Sequence, residues 1–94
     1  MKPPISKFKV FGNSMYSTLK EGQGVLTFNW GKVKIGDIVV IKYKNREIIK
    51  RIKKIEEDRF FVKGDNEKES TDSRHFVSLN KLQIIGKVIY YFHG

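Results

Sequence analysis

The sequence predicts an all-β fold, on three observations. Its apolar segments are short, they are rich in the Val, Ile, Phe and Tyr that suit a pleated surface, and Gly, Asn and Asp separate them as turns between strands do. A chain of 94 residues suffices for one modest core, so a single domain over residues 1–94 is expected.

Taken in order, the expected strands are KFKVF at 7–11, VLTFN at 25–29, DIVVIKY at 37–43, EIIKRIKKI at 47–55, RFFVK at 59–63 and IIGKVIYYF at 84–92. The fourth is ambiguous, because Ile48, Ile49, Ile52 and Ile55 also fit one face of a helix. Its β-branched content and the short Lys44-Asn45 turn before it favour the second arm of a hairpin. No repeat or long linker divides the chain. The one extended polar stretch, 64–74, is about as long as loops in compact domains become before they are functional or disordered.

Composition narrows the chemistry. Nineteen Lys and Arg against ten Asp and Glu give a formal charge of +9, which favours acidic partners, polyanions or acidic membrane surfaces. The absence of cysteine excludes a disulfide framework, a thiol nucleophile and a Cys-ligated metal. His75 and His93 are too few and too scattered for a metal site or a Ser-His-Asp set, so no metal and no cofactor is expected. No apolar run approaches the ~20 residues that span a bilayer, and the start MKPPISKFKVF has no signal-peptide centre. The expectation is a soluble chain, cytoplasmic or peripheral to a membrane, whose membrane attachment would come from its charge.

Three segments carry candidate chemistry. In Gly12-Asn13-Ser14-Met15 a serine follows a strand, and the glycine beside it permits close backbone approach, so hydroxyl and amide can both meet a substrate carbonyl. The same residues also make an ordinary polar turn. In Glu47-Ile48-Ile49-Lys50-Arg51-Ile52, strand alternation puts Lys50 between Ile48 and Ile52 on one face. Desolvation there lowers the amine's pKa, as a lysine base requires, although a lysine snorkelling from a half-buried strand has the same spacing. In the 64–74 stretch, Asp72 and Arg74 can pair while Ser70 and Ser73 offer hydroxyls, or the whole is a solvated turn.

As an ordered set these residues resemble the boxes of type I signal peptidases. The set comprises Gly12-Asn13-Ser14-Met15 with Thr18-Leu19, Gly36-Asp37-Ile38-Val39-Val40, Ile49-Lys50-Arg51-Ile52, the pattern GDN-x3-S-x-DSR from Gly64 and Asp65 to Arg74, and Gly86-Lys87-Val88. The shorter Ser and Lys boxes are shared with LexA-type self-cleaving repressors, and the 64–74 box resembles the signal-peptidase branch. The resemblance implies a compact, mostly antiparallel β fold of the signal-peptidase/LexA kind with a Ser–Lys dyad on an apolar cleft. By that likeness Ser14 is the nucleophile, Lys50 its general base and the Ser14 amide the main oxyanion donor. Ser70 would hold the Lys50 amine, and Asp72 with Arg74 would brace the loop, with Gly12, Met15 and Asp65 in supporting places. Position 12 is Gly, so a hydroxyl that assists the oxyanion in some relatives is missing.

The implied partner is a polypeptide with an N-terminal leader, cleaved after small residues such as Ala. The compact, anchorless form is similar to small relatives described as nickel-type superoxide dismutase maturation proteases, which remove a short leader from one substrate. The alternative is a catalytically inactive or non-enzymatic basic β-barrel that binds peptide or nucleic acid, resting on the +9 charge and Tyr90-Tyr91-Phe92. That aromatic run reads first as strand core, and no specific nucleic acid is expected.

Overall fold

A computed structural model describes residues 4–29, 31–66 and 76–92. The seven strands are β1 (Ile5–Lys9), β2 (Gly24–Phe28), β3 (Ile38–Tyr43), β4 (Arg46–Glu56), β5 (Arg59–Lys63), β6 (Val77–Asn80) and β7 (Ile84–Tyr91), with a 3-10 turn at Lys81–Gln83 before the last. They form one sheet in the order β1-β2-β7-β3-β4-β5-β6, each neighbour antiparallel. The all-β, mostly antiparallel expectation is met. β7 inserts between β2 and β3, joining the N-terminal pair to the β3–β6 meander.

Two apolar clusters flank the sheet. Val10, Met15, Leu19, Val25, Val40 and Ile49 form one; Val39, Ile41, Ile52, Val62 and Leu79 form the other. The unbroken run Ile38–Ile41 follows from this, because β3 supplies Val40 to the first cluster and Val39 and Ile41 to the second.

The helix-like spacing in β4 has a simple cause. Ile49 points to the first cluster and Ile52 to the second, and the pairing with β5 shifts between Ile52 and Lys54, so a bulge resets the alternation and brings Ile55 onto the second cluster as well. Lys44 and Asn45 take positive φ values of 51° and 62°, the tight turn that closes the β3–β4 hairpin.

Two readings are corrected. β6 and its 3-10 turn were not expected; four residues, Val77-Ser78-Leu79-Asn80, give only two apolar positions, and one of these, Leu79, is fully buried against β5. Tyr90-Tyr91-Phe92 is not core. These residues are 53%, 40% and 39% exposed, because neither apolar cluster reaches them at the end of β7; Phe92 packs edge-on against Tyr90 and beneath the Lys7 ammonium. Among the described residues no helix is long and apolar enough to cross a membrane.

Candidate active site

Ser14 lies in the loop that joins β1 to β2. The loop is closed at its base by Val10 N–H to the Gln23 carbonyl and Gly22 N–H to the Val10 carbonyl, both 2.8 Å. Gly12 turns the chain at φ +77°, a conformation that L side chains rarely adopt, and its N–H donates to Glu21 Oε2 at 2.8 Å. A side chain at Gly12 would meet nothing within 4 Å, so the expected close approach is absent there; the glycine serves the turn. Met15 and Leu19 anchor the far side, buried in the first cluster and joined by Leu19 N–H to the Met15 carbonyl at 2.8 Å. Ser14, half-buried beside the Met15 anchor, is thereby held in place. Among the described residues no group accepts a hydrogen bond from its N–H.

The close approach occurs instead at Gly64. A Cβ there would run into the Ser14 carbonyl oxygen, so the first residue of the Gly64-Asp65-Asn66 box must be glycine. Asn66 follows with two bonds to the serine loop: its N–H donates to the Ser14 carbonyl at 2.8 Å and its amide nitrogen to the Asn13 carbonyl at 2.7 Å.

Asp65 completes the clamp. Its carboxylate accepts from Arg51 Nε and Nη2 at 2.9 and 2.8 Å, a two-point geometry, and from the Thr18 hydroxyl at 2.6 Å, while its N–H donates to the Met15 sulfur at 3.4 Å. Arg51 also donates to the Gly36 carbonyl at 2.7 Å. Burial pushes the Asp65 carboxyl up, but the hydrogen bonds from Arg51 and Thr18 and the charges of Arg51 and Lys53 outweigh it and hold the group below the usual carboxylate range. The bond with Asp65, against burial, raises Arg51 further above its already high value.

β4 is a strand through position 50, as expected. Ile48 and Ile52 pack on the second cluster, and the half-buried Lys50 lies between them by alternation, opposite Val39. The β4–β5 pairing ends at Arg51 with Lys63. Beyond that point, towards Arg46, the serine loop comes alongside β4. Ser14 and Lys50 there line one cavity of about 360 Å³, with Val10, Met15 and Ile49 as apolar wall and the exposed Lys9 and Arg46 also bordering it.

Of the residues singled out from sequence, the structure therefore brings together Ser14, Lys50, Gly12 and Met15 around one cavity, with Asp65 behind them. Ser70, Asp72 and Arg74 lie outside the described residues. Sequence reasoning placed Arg51, Thr18 and Asn66 within the boxes but gave them no part in the clamp on the serine loop, and it missed the true place of the close-approach glycine. Arg51 carried a signal: in a strand it must face the opposite side from Lys50, so it was placed to hold something other than the base.

Residues 4–89 match the family described as Peptidase S24-like. The chain belongs to that family. The match spans both the serine loop and β4, so the peptidase-like character and the all-β fold stand together. The comparison with curated proteins finds no match.

Proposed function

We propose that the chain is a serine endopeptidase with a Ser14–Lys50 dyad, acting on a polypeptide that bears an N-terminal leader and cutting after small residues. The observation that carries this reading is the shared cavity, whose lining includes both a loop serine and a half-buried strand lysine. Lys50 Nζ, neutral in the working state, takes the proton of Ser14 Oγ as the oxygen attacks the scissile carbonyl. The developing oxyanion accepts from the Ser14 N–H, which no group among the described residues occupies. The lysine then returns the proton to the leaving amine, and a water activated by the same amine hydrolyses the acyl-enzyme.

The likeness to signal peptidases supplies the leader and the small residue before the cut. The likeness to the small relatives described as nickel-type superoxide dismutase maturation proteases favours removal of a short leader from one dedicated substrate. The formal charge of +9 favours salt-sensitive attachment to acidic membrane surfaces.

The test is cleavage of a leader-bearing polypeptide with Ala before the scissile bond. Ser14→Ala and Lys50→Ala are expected to abolish cleavage, and Lys53→Ala, which removes the same charge from an exposed neighbour, to retain it. Cleavage by Ser14→Ala at the wild-type rate would overturn the assignment.

A further inference from the structure

A second cavity, of about 310 Å³, lies apart from Ser14 and Lys50. Its interior is made by Phe28, Val33, Ile55, Phe60 and Ile84, all half-buried and hence incompletely covered by the chain itself. Four of the five, all but Phe28, pack on the Val39–Ile41–Ile52 cluster, so the cavity opens directly onto the second core. Three lysines, Lys32, Lys81 and Lys87, border it, and among the described residues no carboxylate does. Among the described residues none of the three makes an ion pair.

An apolar interior with an uncompensated cationic border selects an amphiphile with one anionic end. Two carboxylate ligands have that form: a peptide ending in apolar residues, and an alkyl carboxylate. The strands that wall the cavity, β2, β4, β5 and β7, are each paired on both edges. A peptide entering would leave its amides without the ladder partners that β-addition gives, at the desolvation cost of unpaired polar groups. An alkyl chain has no such groups to satisfy. The volume, at the small end of the ~300–1,000 Å³ range of ligand sites, suits a chain of medium length.

We propose that this cavity binds a medium-chain fatty acid, its alkyl tail against Phe28, Ile55, Phe60 and Ile84 and its carboxylate among Lys32, Lys81 and Lys87. The site is independent of the peptidase reading, since none of these residues borders the Ser14 cavity.

Decanoate, titrated below its micelle-forming concentration into the full chain, tests it by calorimetry and by amide chemical-shift mapping. One equivalent is expected to bind, with shifts centred on residues 28–33, 55, 60 and 81–87. Decylammonium, with the same tail and the opposite charge, is expected to bind at least about tenfold more weakly. The exposed substitutions Lys32→Glu and Lys81→Glu together should weaken decanoate by about tenfold or more while the fold, read by the amide spectrum, is kept. Should that double variant unfold, Lys32→Gln with Lys81→Gln gives the same reading through loss of charge alone. Equal binding of the two amphiphiles, no saturable binding of decanoate, binding of several equivalents, or shifts centred on Ser14 would each overturn the proposal. So would binding confined to a peptide ending in apolar residues.

Discussion

The cavity at Ser14 is framed by segments that strand pairing does not join, whereas the lysine-bordered cavity lies against strands paired on both edges. At the first, residues 13–18, 51 and 64–66 meet through side-chain bonds and one close backbone approach. At the second, the ladder and the second apolar cluster do the positioning. Precision is therefore concentrated in a few polar atoms in one place and spread over many apolar contacts in the other. The first region should fail on single substitutions that the second tolerates.

The largest effect is expected at Gly64. Alanine there forces the Ser14 carbonyl away, and overpacking of this kind costs ~1–3 kcal/mol. For a chain this small, thermal melting should fall by about 4–8 °C for each kcal/mol lost, and leader cleavage should fall with it. Phe60→Leu, in the wall of the other cavity, is the contrast: a cost under about 1.5 kcal/mol and an unchanged cleavage rate. If Gly64→Ala melts and cleaves like wild type, the clamp on Ser14 does not exist.

Next comes the Arg51–Asp65 pair, whose side chains are only 27% and 14% exposed. Arg51→Ala leaves the carboxylate with Thr18 alone and should cost about 2 kcal/mol in denaturant unfolding. The Lys54–Glu56 pair, 2.7 Å apart but 59% and 57% exposed, is screened by water, so Glu56→Ala should stay within ~0.5 kcal/mol. Equal effects would show that burial does not separate the two pairs.

A smaller effect follows from acid. Asp65 has a folded-state pKa below its unfolded value, so the unfolded chain binds the proton more readily. The stability from this group is present above the ordinary carboxylate range and is lost as pH falls through that range towards the folded value. Melting followed against pH should show a shallower acid loss in Asp65→Asn than in wild type. Identical acid slopes would remove Asp65 as a contributor. Least of all, Lys32→Glu at the second cavity should leave the cleavage rate within about twofold, since rim charges act weakly at a distance.

Much of this arrangement was legible in the sequence, and its limits have physical reasons. Short-range patterns gave six of the seven strands, with 59–63 matched end to end, because alternation and turn residues act locally. The hairpin at Lys44-Asn45 outweighed the helical spacing of the isoleucines, which a bulge after Ile52 explains. β6 was too short to stand out. The box order put Ser14 and Lys50 forward, but the partners of Asp65 and the close approach at Gly64 depend on contacts between residues about 14 to 50 apart in the chain, which no local pattern encodes. Gly12 and Gly64 show the difference: the sequence offers two glycines near the site, and only the fold says which one touches Ser14.

The central claim is that Lys50 acts as a base, and Lys50→Arg tests it most directly. Arginine keeps most of the stem, but its guanidinium stays protonated and cannot accept the serine proton. With the amide spectrum showing a folded chain, leader cleavage by Lys50→Arg should fall by ~10²–10⁴, the usual contribution of a general base. Cleavage at the wild-type rate would contradict the dyad.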